Sequence, residues 1–120
     1  MTDQQEVLDE AVVAELRESV GGDDTFVAEL ASAYLAEGQE QIEAMVDAMG
    51  RGDVAAVVRP AHSLKSSSAS LGAARVAELC RQIEYAAREG RTEGLAAAVG
   101  EVEATWHLTV AAIKERGLAG

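Results

Sequence analysis

A single proline, a single cysteine and an aromatic share of 3% leave this 120-residue chain short of the residues that build sheets, disulfide frameworks and metal clusters. The lone cysteine, Cys80, excludes an internal disulfide and any zinc site made of several cysteines. Placed on an apolar helical face, it reads as a small buried hydrophobe. Runs of β-branched residues are scarce as well, and a core of Ala, Val and Leu favours closely packed helices over a sheet. No apolar run approaches the roughly 20 residues that cross a bilayer. The first ten residues, MTDQQEVLDE, are acidic where a secretory signal is basic, so a cytoplasmic location without membrane association is expected.

Positive charge is also in deficit. Ten Lys and Arg against 21 Asp and Glu give a net charge of −11, which disfavours nucleic acid as a partner because phosphate backbones require basic surface. The distribution says more than the total. Residues 1–50 hold one basic residue, Arg17, and thirteen acids, whereas residues 51–81 hold Arg51, Arg59, Lys65, Arg75 and Arg81 against only Asp53 and Glu78. A locally basic zone in an acidic chain suits docking of an acidic partner.

What is present is helical periodicity, in a length that supports one domain over 1–120. A short first helix is predicted over 9–20, capped by Asp9, with a stripe of Leu8, Val12, Leu16 and Val20. Asp23 and Asp24 can cap a second helix over 25–49, whose apolar positions are Phe26, Leu30, Tyr34, Ile42, Met45 and Met49; Gly38 interrupts it and invites a slight bend. A third helix, 53–71, carries Val54, Val57, Ala61, Leu64, Ser68 and Leu71 at alternating spacings of three and four, the pattern of a bundle seam. Pro60 removes a backbone donor from it, so a kink, or a helix that becomes regular only near His62, is expected. The apolar phase runs on through Leu71, which favours helix over a loop for the serine-rich stretch 66–70.

A fourth helix over 74–89 turns Val76, Leu79, Cys80, Ile83 and Ala87 inward; beside them Glu84 can meet Arg81 or Arg88 in weak surface ion pairs. The fifth, 93–116, can be capped by Thr92 and carries Leu95, Val99, Val102, Trp106, Thr109 and Ile113 inward, while Leu118, Ala119 and Gly120 are expected to fray. Short connections between long helices imply an all-α, antiparallel up-down-up-down four-helix bundle with a short extra N-terminal helix.

The common catalytic signatures are missing: no glycine-rich phosphate loop, no His-Glu-x-x-His, no paired cysteines, no Gly-x-Ser-x-Gly. His107, beside Trp106, reads as a partly packed structural residue, and no ligand spacing supports a metal or cofactor site. His62 stands apart. At about 100° per residue it lies roughly 135° from the centre of the seam, hence toward solvent, and it shares a face with Lys65, Ser66 and Ala69. Neutral imidazole is a nucleophile near neutral pH, and a phosphoryl group on it would need a nearby cation and hydrogen-bond donors. Lys65 supplies the first, the hydroxyls of Ser63 or Ser66 the second, and small side chains at 66 and 69 leave room for a donor group to approach.

The stretch His62-Ser63-Leu64-Lys65-Ser66-Ser67-Ser68-Ala69-Ser70-Leu71-Gly72 resembles the signature of histidine-containing phosphotransfer (HPt) domains of bacterial two-component phosphorelays, His-x-Leu-Lys-Gly-Ser-Ser-Ala-x-Leu-Gly. The likeness continues through Leu79, Cys80 and Glu84 to Gly90; Ser66 in place of glycine and Pro60 two residues before His62 are the departures. The resemblance implies a monomeric helical phosphocarrier rather than an enzyme. It would accept phosphate on His62 from a receiver-domain aspartate, with Lys65 stabilising it, and pass it to another receiver. Receivers of response regulators or hybrid histidine kinases would be the partners, and they would bring the acidic pocket and the Mg2+. The docking surface is expected to include Arg59, Ser63, Ser66, Ala69, Arg81, Glu84 and Arg88. Two alternatives are a bundle that binds receivers without carrying phosphate and a structural helical interaction module. The pairing of His62 with Lys65 argues against the first, and polar outer helix faces argue against the second.

Overall fold

A computed structural model describes residues 7–118, and all the regular structure among them is helical. The helices are α1 (Glu10–Ser19), α2 (Asp24–Gly50), α3 (Val58–Leu71), α4 (Ala74–Arg88) and α5 (Leu95–Glu115), with a 3-10 turn, Val54–Val57, ahead of α3. Aspartates open three of these elements by accepting otherwise unpaired backbone N–H groups. Asp9 takes those of Ala11 and Val12, Asp23 those of Thr25 and Phe26, and Asp53 that of Ala56. The last helix departs from expectation: its cap is Gly94, at φ 76°, and the Thr92 side chain makes no capping bond.

Pro60 is accommodated by position. It falls in the first turn of α3, directly after the 3-10 turn, where the fixed φ and missing N–H of proline are best tolerated. Regular α-helix therefore begins at Val58, one turn before His62, and continues through the serines to Gly72. The seam follows the spacing from its second position on: Val57, Ala61, Leu64 and Ser68 are fully buried and Leu71 nearly so, whereas Val54 is only half-buried.

α3 packs against α2 and α4, and α5 against the same two, closing a four-membered ring; α1 lies across α2 and α3. The attachment of α1 runs through Gly72, whose carbonyl accepts the Asp9 N–H at 2.7 Å. Gly72 sits at φ 89°, and a Cβ there would lie 3.2 Å from both the Asp9 carbonyl oxygen and Val13 Cγ2. In α1 it is Val13, rather than Val12, that is fully inside. Leu118 is 5% exposed, so it is packed rather than frayed; Ala119 and Gly120 lie outside the described residues.

The inner face of α2 also differs from the reading of its sequence. Phe26 is 44% exposed, and Val27, Ala31, Tyr34, Gly38, Ile42, Met45 and Ala48 are the buried positions. Gly38 is the seat of Trp106 rather than an interruption. A Cβ at Gly38 would lie 2.7 Å from Cζ3 and 2.8 Å from Cζ2 of the indole, and closer still to Cη2. The missing side chain lets Trp106 bury completely, meet Tyr34 edge to face at 5.3 Å and donate its Nε1–H to Gln39 Oε1 at 2.9 Å.

Two glycines within helices give opposite predictions. Gly38→Ala forces the indole to move, and overpacking of this kind costs about 1–3 kcal/mol. At Gly100 a Cβ meets nothing, so Gly100→Ala gains the helical preference of alanine, about 1 kcal/mol. Thermal melts should show the first variant below wild type and the second above it; a stable Gly38→Ala would mean that Trp106 is not seated on that glycine.

Candidate functional site

The seam that buries Ala61, Leu64 and Ser68 turns His62 outward, and its side chain is 55% exposed. The ring is nevertheless held. Its Nδ1 lies 2.9 Å from Oε2 of Glu84 on the neighbouring α4. Glu84 follows Cys80 by one turn on the buried stripe Val76, Cys80, Ile83, Glu84 and Ala87, and its side chain is only 8% exposed. The expectation from the sequence holds in part: Glu84 does pair with Arg88, but its carboxylate faces inward between α3 and α4, and Arg81 turns to Glu78 instead, at 2.6 Å.

Three cationic or hydrogen-bonding groups converge on this carboxylate. Oε2 accepts from His62 Nδ1 and from Arg88 Nε, both at 2.9 Å, with the second guanidinium nitrogen at 2.8 Å. Lys65 Nζ lies 2.8 Å from Oε1 as a charge contact, and that oxygen has no aligned hydrogen-bond donor among the described residues. Lys65 first, then Arg88 and His62, hold the Glu84 carboxyl down at about 2, against the opposing effect of burial. An ionised carboxylate only accepts, so the bridging proton resides on Nδ1 of His62. In the neutral ring the lone pair is then on Nε2, the nitrogen directed away from Glu84.

Of the other residues singled out in the sequence, Arg59, Ser63, Ser66 and Ala69 are exposed. Among the described residues the hydroxyls of Ser63 and Ser66 make no side-chain hydrogen bond, whereas those of Ser67 and Ser70 bond back to the carbonyls of Ser63 and Ser66. Lys65 is one-third exposed and Arg88 is 57% exposed. His107 is exposed, not packed, because it lies about one residue's rotation from the fully buried Trp106. Cys80 is buried, and burial pushes its thiol up to about 12, so it stays protonated.

Beneath the site, Ser68 is fully buried and shares a 2.6 Å hydrogen bond with the Tyr34 hydroxyl, tying α3 to α2. On the α2 side of α3 lies a cleft of about 390 Å³ lined by Leu16, Leu30, Tyr34, Glu37, Ser67 and Leu71. Exposed Phe26 stands one turn before Leu30 on the same helix. The sequence reading counted both Phe26 and Leu30 as core, whereas Phe26 is exposed and Leu30 lines this cleft.

The family model described as Hpt domain matches residues 29–116. Among solved structures, the crystal structure of histidine-containing phosphotransfer protein B (HptB) from Pseudomonas aeruginosa PAO1 superposes with a TM-score of 0.84 at 26% identity, covering 94% of this chain and 96% of that one. A search of the curated proteins gives no match.

The depressed Glu84 carboxyl links stability to pH. A group held below its ordinary 4.5 contributes stability that is fully present above that value and is lost as pH falls toward about 2. Chemical unfolding of wild type and Glu84→Gln should therefore show a stability gap near neutral pH that closes between about pH 4.5 and 2. A gap that is constant across that range would mean that the carboxylate charge is not stabilised by its neighbours.

Proposed function

The chain belongs to the Hpt domain family, whose members are phosphocarriers of two-component phosphorelays rather than enzymes, and on that premise we propose that His62 is the residue that carries the phosphate. The observation that supports this reading most directly is the 2.9 Å contact between Nδ1 and the Glu84 carboxylate in a ring that is otherwise half open to solvent. It directs nucleophilic character to Nε2.

In the proposed step, Nε2 attacks the phosphorus of a receiver's aspartyl phosphate. The N–P bond forms as the P–O bond breaks, and the bonding electrons leave with the aspartate carboxylate. The ring becomes cationic, and its Nδ1 proton stays in the hydrogen bond to Glu84, whose negative charge offsets the charge gained. Onward transfer runs the same sequence in reverse, with the aspartate of a second receiver as the attacking group.

Lys65 is proposed to stabilise the transferring group. It is one-third exposed, three residues from His62 on the same face, and its contact with Glu84 lacks full hydrogen-bond alignment. A dianion on Nε2 offers the ammonium a more highly charged partner at comparable reach. The hydroxyls of Ser63 and Ser66, which make no side-chain hydrogen bond among the described residues, can donate to the same group. The receiver is proposed to bring the acidic pocket and the magnesium ion, to meet the basic residues Arg59 and Arg81 around His62, and to cover the apolar cleft lined by Leu30 and Leu71. Ser66 extends past the backbone less than a larger side chain would, and it leaves His62 open.

Incubation with phosphorylated receiver domains should yield acid-labile, base-stable phosphate on the wild-type chain and none on His62→Gln. Absence of transfer from every receiver would overturn the carrier reading, and binding without transfer would favour an inert module. Lys65→Ala should transfer more slowly or hold phosphohistidine for a shorter time, with circular dichroism unchanged; unaltered rates and lifetime would remove the lysine from the mechanism.

A further inference from the structure

We propose that Arg88 is a positioning residue that restrains His62 through Glu84, and that an acidic group of the docked partner lifts the restraint by drawing the guanidinium away. The inference rests on the carrier reading of His62 and adds to it a step that couples docking to reactivity.

The basis is the sharing of one oxygen. Oε2 of Glu84 accepts from His62 Nδ1 at 2.9 Å and from Arg88 Nε at 2.9 Å, while Lys65 occupies the other oxygen. The charge on an oxygen is divided among its donors, so Arg88 weakens the hold of Glu84 on the imidazole. Glu84 is 8% exposed, so its charge depends mainly on these protein groups, and Arg88 is 57% exposed at the rim. The buried end of this pair is fixed and the exposed end is free to leave. Arg81 is turned to Glu78 instead: among the described residues both of its guanidinium hydrogen bonds are to that carboxylate.

Removal of Arg88 leaves Oε2 with the Nδ1–H as its hydrogen-bond donor. The hydrogen bond shortens, electron density moves toward Nε2, and the cationic ring formed by phosphoryl attack gains a more fully charged counterion. A partner with a carboxylate pocket supplies an alternative anion for the guanidinium at the moment when its phosphoryl group reaches Nε2. The resting protein thereby keeps its nucleophile less reactive until an acidic surface is in place.

The test uses nitrogen and proton NMR of the His62 ring in the free, full chain, with Arg88→Ala, Arg88→Lys, Glu84→Gln and the double variant Glu84→Gln/Arg88→Ala. Arg88→Ala should move the Nδ1–H proton downfield and deepen the population of the Nδ1–H tautomer; Arg88→Lys should restore part of the wild-type signal. At pH 8, carbethoxylation of His62 by diethylpyrocarbonate should rise about twofold in Arg88→Ala, with His107 unchanged as the internal reference. In the Glu84→Gln background, removal of Arg88 should have no effect on either readout. An equal effect of Arg88→Ala with and without Glu84, or no effect at all, would overturn the proposal.

The partner arm adds an unphosphorylated receiver domain that exchanges phosphate with this chain. It should shift the wild-type Nδ1–H downfield toward the Arg88→Ala position and leave that of Arg88→Ala in place; a wild-type signal that does not move overturns the docking half. If no receiver exchanges phosphate, it is the carrier reading that fails, and the variant series in the free chain still decides the restraint.

Discussion

A carboxylate taken out of water keeps its charge only if other groups take the place of the water, and Glu84 is where this chain meets that condition. Its side chain is 8% exposed, yet its carboxyl is held down at about 2 because Lys65, Arg88 and His62 surround it. Burial of an ionised group is unfavourable unless it is paired and hydrogen-bonded. The support runs in both directions: these three groups favour the charge on Glu84, and Glu84 in turn holds them together. One residue of α4 thereby fixes the tautomer of an exposed histidine on α3 and pairs with Lys65 and Arg88.

The rest of the bundle keeps these two helices in register. Pro60 falls in the first turn of α3, directly after the 3-10 turn, and regular helix begins one turn before His62, so the seam residues and the histidine keep a constant phase. Ser68 anchors the same helix to Tyr34, which in turn packs against Trp106, and Trp106 has space only because position 38 has no side chain. The contact chain from α5 through α2 to α3 is thus assembled from small residues set against one large one. Interiors packed at this density transmit displacement, so a change at Gly38 reaches the helix that carries His62.

Much of this was legible in the sequence, for a physical reason. Spacings of three and four with aspartate caps specify helices and their inner faces, and the seams of α3 and α5 emerged as the periodicity implies. The HPt-like motif pointed to the family that the match over residues 29–116 supports. What was not legible was the role of residues whose type and position disagree. Glu84 has the chemistry of a surface residue, but it sits at the i+4 position from Cys80 on the buried stripe, and only the cations across the helix pair explain how it stays there. Gly38 has the propensity of a helix breaker, but it keeps the buried phase of Tyr34 and Ile42 and is explained only by Trp106, nearly seventy residues away. Both depend on a distant partner that no local pattern encodes.

Central to the proposed chemistry is that Glu84 reserves Nδ1 of His62 and leaves Nε2 to react. Phosphorus-nitrogen correlation on the nitrogen-15-labelled phosphoprotein reads this directly, because the nitrogen bonded to phosphorus shows a resolved coupling. Coupling at Nε2, with a proton retained on Nδ1, is the result expected of this site; coupling at Nδ1 would contradict it.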